Sequence, residues 1–177
     1  MTDEELVARL KSNDDEAYRE VVTRFGDALY AYLYHLTGDH HLSEDVLGET
    51  YLRMVERIDS YTYYGAPFKA WLYRIAHNLA INALRQRQRL VPELPEQSSP
   101  GDDPAVQVSA RLEAEELREA IGQLTDEQQQ VVLLRFIADQ PSSEVARVMD
   151  KTENAVKQLQ WRALRSLGRL LNRRGQD

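Results

Sequence analysis

Six side chains able to contact nucleic acid recur at steps of three or four residues between Pro67 and Arg89. They are Trp71, Arg74, Asn78, Asn82, Arg85 and Arg89. In an α-helix, residues three and four apart share one face. That face would carry three guanidiniums for phosphates and base edges, two amides that both donate and accept, and an indole that can stack on an unpaired base. This spacing predicts a helix that contacts nucleic acid.

The residues around this stripe favour the same interpretation. Phe68, Leu72, Ile75, Leu79 and Ala83 follow helical spacing on the opposite side, where they would face a core. Residues 60–92 contain five Lys and Arg, with Lys69 among them, and no Asp or Glu. A helix face that is only solvated usually interleaves Glu with its cations. The alternative of a merely solvated amphipathic helix therefore leaves the missing acids unexplained.

The segment before this helix, Asp59–Ala66, is a predicted loop with three tyrosines, Tyr61, Tyr63 and Tyr64. Flat rings beside a cationic helix can stack on unpaired bases, each worth roughly 1–3 kcal/mol. Loop tyrosines also pack on their own domain. The sequence does not choose among the three.

A second candidate contact lies near the C-terminus. A short helix from Pro141, a turn at Asp150-Lys151 and a longer helix capped by Thr152 have the helix-turn-helix arrangement. The long helix should bury Val156, Leu159, Ala163, Leu167 and Leu170. Its predicted DNA-contacting residues are Asn154, Lys157, Gln158, Trp161, Arg162 and Arg165, with Arg169 also outward. Guanidinium and amide groups on such a helix can read base edges in a major groove.

The chain as a whole is predicted to be all-α, with two small helical domains at residues 1–90 and 105–177. Capping-box patterns at Thr2 and Thr125, a cap at Ser43 and Thr37-Gly38 mark helix ends. Residues 91–104 contain four prolines, one glycine, four acids and no Lys or Arg. Because no core can be built from that composition, this stretch is predicted to be a flexible acidic linker.

Charge is distributed unevenly over the 177 residues, whose net charge is −7. Residues 1–59 hold six basic and fourteen acidic side chains, and residues 93–153 hold five and fourteen. Residues 60–92 and 154–176 hold five and six basic side chains and no acids. Such a chain should bind free DNA poorly and use its two cationic faces only when a partner positions them.

The composition also limits the cellular compartment and the kinds of chemistry to be expected of this chain. There are no cysteines, no apolar run approaches a membrane span, and the first residues do not resemble a signal peptide, so a cytoplasmic protein is expected. No nucleophile motif, phosphate-binding glycine loop or zinc pattern is present, which argues against an enzyme and predicts no cofactor. His40-His41 before Glu44 and Asp45 could suggest a metal site, but solvent-exposed turn histidines are the simpler reading.

Three segments resemble the extracytoplasmic-function (ECF) group of bacterial sigma factors. Phe68–Asn78, F-x-x-W-L-Y-R-I-A-x-N, is similar to the helix that reads the promoter −10 element. Leu42–Tyr51 is similar to the segment that grips the clamp of RNA polymerase, D-A-E-D-L-x-Q-E-T-F, and matches at Asp45, Glu49 and Thr50. Leu124–Leu171 is similar to the −35 domain.

The resemblance implies a sigma factor that binds core RNA polymerase, reads −35 with its C-terminal domain, and melts and reads −10 with its N-terminal domain. It implies polymerase contacts at Asp45, Glu49, Leu52 and Arg53, capture of a flipped −10 base by the tyrosine loop, an anti-sigma partner, and a monomer when free. The linker would lie in the polymerase cleft.

The sequence departs from the family pattern at several positions. Gly48 stands where Gln is usual, which either weakens the helix or admits a close neighbour. Asp150 replaces the turn glycine, Asn154-Ala155 replaces Gly-Thr, and Leu159-Gln160 replaces Arg-Leu, so the target sequence of relatives cannot be carried over.

Two alternatives stay open. A sigma mimic would titrate an anti-sigma factor without binding DNA, but it has no need of exposed guanidiniums at Arg74, Arg85 and Arg162. A stand-alone helix-turn-helix repressor leaves the Pro67–Arg89 helix and the linker without a role.

Overall fold

The computed structural model describes residues 1–62, 67–90 and 104–174, with side chains except at 104–111 and 174. These ranges form α-helices and no strand, which confirms the predicted all-α class. The helices are α1 Asp3–Lys11, α2 Asp15–Thr37, α3 His40–Arg57, α4 Phe68–Leu90, α5 Pro104–Gly122, α6 Asp126–Val132, α7 Ser142–Met149 and α8 Glu153–Arg174. A 3₁₀ turn, Ile58–Ser60, follows α3, and a π-helical turn, Leu133–Ile137, follows α6. Tyr63, Tyr64 and residues 91–103 of the predicted linker lie outside the described residues.

Several helix ends follow the predicted chemistry. Thr2 and Glu5 form a reciprocal capping box, with N–H to oxygen distances of 2.9 and 3.2 Å. Thr125 and Gln128 form a second one at the start of α6. Gly38 ends α2 with φ 71°, a left-handed conformation that glycine adopts without steric cost. The first turns of α1 and α6 and the last turn of α2 are therefore fixed locally.

Helix α3 begins four residues earlier than predicted. The Asp39 carboxylate, rather than Ser43, caps it by accepting from the Leu42 N–H at 3.0 Å. Ser43 lies buried inside the helix, and its hydroxyl donates to the Asp39 carbonyl. The prediction of a Ser43 cap was wrong because both residues are good caps and the earlier one is used.

Helices α2, α3 and α4 pack against one another, and α1 covers α2. The predicted core side of α4 is buried at Phe68, Leu72 and Ile75. Where α2 meets α3, Gly26 leaves room for a tyrosine, since a Cβ there would lie 3.2 Å from the Tyr51 hydroxyl. The apolar stripe of α2 predicts Val22 as a core residue, and this prediction was wrong, since Val22 is 52% exposed. Helices α2 and α3 therefore cover one side of α4, and its opposite side faces solvent.

An ion pair fixes the C-terminal end of α4. The Arg87 guanidinium pairs with the Asp39 carboxylate, whose side chain is only 6% exposed. Asp39 thus caps α3 and anchors α4 at once. Because breaking a buried ion pair leaves an uncompensated charge, this contact sets the position of the cationic end of α4.

In the C-terminal half, α5, α6 and α7 all contact α8. The buried side of α8 is as predicted at Val156, Leu159, Ala163 and Leu167. The apolar spacing of α5 predicts that Leu112 and Leu117 point inward, but both are exposed, whereas Ala120 and Ile121 in its last turn are buried. Among the side chains that the structure describes in α5, residues 112–122, those of the last turn join this core.

The two halves also pack on each other. Helix α4 contacts α7, and α2 contacts the π-helical turn. The buried apolar residues from Leu6 to Leu167 form one continuous cluster. The two predicted DNA-contacting helices thus belong to one packed body in this structure.

Candidate nucleic-acid interface

The polar stripe of α4 lies on its solvent side, as the spacing predicted. Arg74, Asn78, Asn82, Arg85 and Arg89 are all exposed. Lys69, which precedes the stripe by less than one turn, is half-buried. The buried stripe on the opposite side of the same helix holds these groups in one row. The row offers amides and guanidiniums at a regular helical spacing.

Trp71 begins this row as a half-buried ring. Its centroid lies 5.0 Å from that of Tyr61 and 5.8 Å from that of Phe68. Such tilted aromatic pairs contribute about 0.5–1.5 kcal/mol each beyond area burial. One edge of the indole is therefore fixed by packing, and the remainder is open to a stacking partner.

Tyr61 does not lie in an open loop. It is 4% exposed, packs edge-on against Phe68 at 5.9 Å, and its carbonyl accepts from the Lys11 ammonium at 2.8 Å. In this arrangement the Tyr61 ring packs against Trp71 and is not available to a base. The reason is its position directly after the 3₁₀ turn, where its ring falls onto the start of α4.

Arg74 makes a contact that the sequence did not indicate. Its guanidinium donates to the carbonyl oxygens of Val148, at 3.3 Å, and of Arg147. Both carbonyls belong to the last turn of α7, where helix carbonyls lack intrahelical partners. A donor bonded to a backbone carbonyl of another helix leaves no pattern in the sequence, so only the packing reveals it.

Asn78, Asn82 and Arg85 line a surface cleft of about 440 Å³ that Asp126 of α6 also lines. His77 lines the same cleft and reaches inward to Tyr32, with 2.7 Å between its Nδ1 and the tyrosine oxygen. Burial lowers the pKa of His77 to about 4, against a small opposing effect of Asp126. The histidine is therefore neutral near pH 7, and the cation that lines the cleft is Arg85.

The outward face of α8 is fully open. The side chains at Lys157, Gln158, Trp161, Arg162, Arg165 and Arg169 are exposed. Gln160 is half-buried and accepts from Arg135 at 3.0 Å, so this departure from the family pattern serves packing. The predicted reading residues thus share one solvent-facing surface, and Asn154 at the start of the helix is exposed beside them.

Trp161 and Arg165 form a pair on that face. The Arg165 guanidinium carbon lies 5.1 Å from the Trp161 ring centroid, within cation–π range. A cleft of about 410 Å³ beside them is lined by Gln128, Arg162 and Arg169 as well. Lys157 pairs with Glu153 at 3.3 Å on the solvent-exposed first turns. Stacking on the indole restricts the Arg165 guanidinium before any ligand arrives.

The helix-turn-helix is present as α7, a tight turn and α8. Asp150 takes the left-handed conformation, φ 54°, which aspartate tolerates better than most residues other than glycine. The Lys151 N–H then donates to the Ala146 carbonyl at 2.9 Å, and the Thr152 hydroxyl accepts from the Ala155 N–H at 3.1 Å. Asp150 therefore takes the left-handed conformation that the glycine of the family pattern would take.

The predicted polymerase-facing residues lie along α3. Asp45 and Leu52 are exposed, and Glu49 pairs with Arg53 at 2.9 Å. Arg53 also bonds Glu56 at 3.2 Å. Val55, three residues after Leu52, is 42% exposed and extends the apolar part of this face. Sequence reasoning missed Val55, although its spacing from Leu52 was a usable signal.

The adjacent histidines occupy different surroundings from those predicted. They lie in the first turn of α3; His41 is exposed, but His40 stacks on Tyr34 at 4.2 Å and bonds the Tyr30 hydroxyl. Across the described side chains, no three His, Cys, Asp or Glu residues are grouped so as to hold a metal ion. Likewise, none of the helices in the described ranges has the length and apolar character needed to cross a membrane.

Comparison with known proteins gives the family. Residues 21–90 match the family described as Sigma-70 region 2, and residues 120–168 match Sigma-70, region 4. The ECF RNA polymerase sigma factor SigX of Bacillus subtilis is 30% identical over 166 residues, covering 86% of this chain and 82% of SigX. The chain belongs to the ECF sigma factors. The matched segments contain the α4 row and the α8 face of this sigma factor.

Two further known proteins are similar to this chain, one of them over part of its own length. The ECF sigma factor BldN of Streptomyces coelicolor is 37% identical over 171 residues, which cover 94% of this sigma factor and 65% of BldN. The chain thus spans less than two thirds of that relative. The solved structure of CnrH in complex with the cytosolic domain of CnrY matches with a TM-score of 0.75 at 25% identity, over 96% of this chain and 97% of CnrH.

Proposed function

We propose that this chain directs core RNA polymerase to promoters, with α8 reading the −35 element and α4 reading and opening the −10 element. The observation that carries the proposal is the pair of cationic helix faces, one in each matched sigma region, on a chain whose net charge is −7. Two separated faces suit two separated promoter elements. The overall acidity disfavours DNA binding without a partner.

The −35 contact rests on the open face of α8. Arginine can bond guanine O6 and N7 with two N–H groups, and the exposed Arg162 and Arg165 are free of acidic neighbours on the helix after Glu153. Trp161 adds an apolar surface for a thymine methyl group. The cations at the ends of α8 would contact DNA phosphates and so add to these base contacts.

The −10 contact rests on the α4 row. Asn78 and Asn82 can each donate to and accept from an exposed base edge, and Trp71 offers a ring for stacking. Because stacking on a base face and contact with its Watson–Crick edge need an unpaired base, binding through this row favours the melted strand. Tyr63 and Tyr64 remain candidates for base capture from the adjoining segment.

The partner contacts rest on α3, whose exposed Asp45 and Leu52 and paired Glu49 and Arg53 form the proposed polymerase-binding face. CnrH was solved with the cytosolic domain of CnrY, and another structural neighbour, RpoE of Bartonella quintana, with the anti-sigma factor NepR. We extend this to an anti-sigma partner for the present chain, which would act in the cytoplasm as a monomer without catalysis of its own. The proposed division is 1–90, 91–104 and 105–177.

Run-off transcription tests this proposal. Purified core polymerase with the chain should initiate at a discrete subset of a promoter library, and the selected templates should share two elements separated by a fixed spacer. Core polymerase alone is the control. A chain that binds an anti-sigma protein yet yields no promoter-specific transcript would support a mimic instead.

A further inference from the structure

The aromatic ring that begins the α4 row is connected to a helix outside the matched sigma segments. Helix α1 precedes residues 21–90, which match Sigma-70 region 2. Its last residue, Lys11, donates from its ammonium to the Tyr61 carbonyl at 2.8 Å, fifty positions along the chain. Among the described residues the ammonium has no carboxylate partner, so its hydrogen bond goes to this carbonyl. The contact joins α1 to the residue that packs against Trp71.

Helix α1 is itself anchored at both ends. Leu6 and Leu10 are fully buried in the core. Near the start of the helix, the Asp3 carboxylate pairs with Arg24 of α2 at 2.9 Å. Because the helix is held by both burial and charge, the Lys11 ammonium is presented to Tyr61 from a fixed backbone position.

Both backbone polar groups of Tyr61 are bonded. Its N–H donates to the Ile58 carbonyl at 3.1 Å, and its carbonyl accepts from Lys11. Because backbone conformation decides which rotamers a side chain can take, these two bonds restrict the direction of the tyrosine ring. The ring packs edge-on against Phe68, and its centroid lies 5.0 Å from that of Trp71. The position of the indole therefore depends on the backbone of the preceding turn.

We infer that Lys11 is a positioning residue for the −10 row: its bond to the Tyr61 carbonyl keeps the tyrosine ring against Trp71, and so keeps the open part of the indole directed toward an unpaired base. The inference rests on the proposed function of α4. Lys11 acts through Tyr61 and does not contact DNA. Its removal should weaken the hold on a melted base while the helices stay folded.

Three variants isolate the bond. Lys11→Met removes the donor but keeps an unbranched apolar stem, and methionine is close to lysine in helix propensity. Lys11→Arg keeps a cationic donor for the carbonyl. Arg19→Met is the matched control, since Arg19 is exposed on α2 and the change removes the same charge from the same half. Far-UV circular dichroism checks that each variant retains its helices.

The fluorescence of Trp71 measures its packing in the free chain. Each variant is also made with Trp161→Phe, which leaves Trp71 as the one tryptophan of the sequence. Lys11→Met should shift the emission to longer wavelength and increase quenching by acrylamide, because the Tyr61 ring is no longer held against the indole. Lys11→Arg and Arg19→Met should keep the original emission. No shift with Lys11→Met, or an equal shift with either other variant, would overturn the inference.

Transcription connects this packing to promoter opening. The three variants, with Trp161 intact, are given core polymerase and a promoter found by run-off. Lys11→Met should lower the transcript from a duplex template about fivefold or more, as expected for a lost base stack, and lower it less on a template already melted across −10. Lys11→Arg and Arg19→Met should transcribe nearly as well as the unaltered chain. Full transcription by Lys11→Met, or an equal loss on the two templates, would contradict the positioning role.

The salt dependence of promoter binding by the polymerase complex separates positioning from a direct phosphate contact. Lys11→Met should leave the slope of log affinity against log salt unchanged, whereas loss of a phosphate contact would reduce it by about 0.9. A reduced slope would overturn the inference in favour of direct DNA contact. If the unaltered chain yields no promoter-specific transcript, the proposed sigma function fails, while the Trp71 emission still decides whether Lys11 positions this ring.

Discussion

At the scale of single residues, His77 connects the −10 helix to the core. It is mostly buried, bonds Tyr32, and has Asp126 across the adjoining cleft. Burial lowers its pKa to about 4, and burial with nearby Arg118 also lowers the pKa of His35. Both histidines are therefore neutral in the folded protein at pH values where unfolded histidine begins to take up protons.

Stability should consequently fall at mildly acidic pH. Below about pH 6.5 the unfolded chain binds protons that folded His77 refuses until about pH 4, so the free energy of unfolding decreases across this window by up to about 1.4 kcal/mol per pH unit. Urea unfolding at pH 7.5 and 5 measures it. His77→Gln keeps a partner for Tyr32 and should show a smaller decrease; equal slopes would contradict the assignment.

Asn78 allows a test of the −10 row without damage to the fold. Asn78→Ala removes an exposed amide, and alanine is the better helix former, so thermal stability should be unchanged or slightly higher. Transcription should fall on duplex promoters and fall less on templates already melted across −10. Permanganate footprinting of the −10 thymines reads opening directly. Thr23→Ala on α2 is the control, and full opening by Asn78→Ala would show the row to be only a solvated face.

At the scale of helices, Gly48 weakens α3. A Cβ at this exposed position would meet nothing within 4 Å, so no close neighbour within the described chain requires glycine. Gly48→Ala should raise the free energy of unfolding by about 1 kcal/mol, measured from the urea midpoint. Loss of polymerase binding by this stable variant would reveal that the partner, rather than the fold, needs the space. Unchanged stability would contradict the helix-propensity argument.

Helix α8 should lose promoter discrimination when its central guanidiniums are removed. Arg162→Ala and Arg165→Ala each delete a group able to bond guanine with two N–H donors, worth roughly 1–3 kcal/mol of discrimination. Selectivity among −35 sequences should drop about tenfold or more, while polymerase binding stays intact. Arg173→Ala removes an equal charge near the end of the same helix and is the matched control. Normal selectivity in both test variants would contradict the assignment of Arg162 and Arg165 to the −35-reading face.

Local chemistry explains which helices were predictable. Thr2, Thr125 and Gly38 end helices through contacts within a few residues, so their roles follow from the sequence. The choice of Asp39 over Ser43 as the α3 cap depends also on Arg87, which lies far along the chain. Leu112 and Leu117 follow an apolar period but are exposed, whereas Ala120 and Ile121 of the last turn are buried in the shared core, a difference that the period does not show.

At the scale of the whole molecule, the arrangement of the two halves was beyond the sequence. The alternation of acidic and basic blocks indicated two DNA-contacting faces but not that Arg74 of α4 would contact the last turn of α7. Arg74 looked like a free member of the row, and its backbone acceptors on α7 have no side-chain signature. The sequence predicted Tyr61 as a loop residue open to DNA, whereas its ring packs against Trp71. Contacts between distant segments decided both.

The distribution of charge predicts that promoter recognition depends on a partner. The free chain carries net charge −7, and Arg74 of its −10 row is bonded to its own α7, so it should bind duplex promoter DNA only weakly near physiological salt. Core polymerase should supply further cationic surface and position the two faces on the promoter. The complex should then show a slope of about 0.9 in log affinity against log salt for each phosphate contacted.

The most direct measurement of this claim is the fluorescence anisotropy of a labelled promoter titrated with the chain alone and with the chain plus core polymerase, at one physiological salt concentration. The account predicts specific binding only when both proteins are present, abolished by competitor carrying the same −35 and −10 elements. Tight, sequence-specific binding by the free chain, unaltered by core polymerase, would contradict it and favour a stand-alone helix-turn-helix regulator.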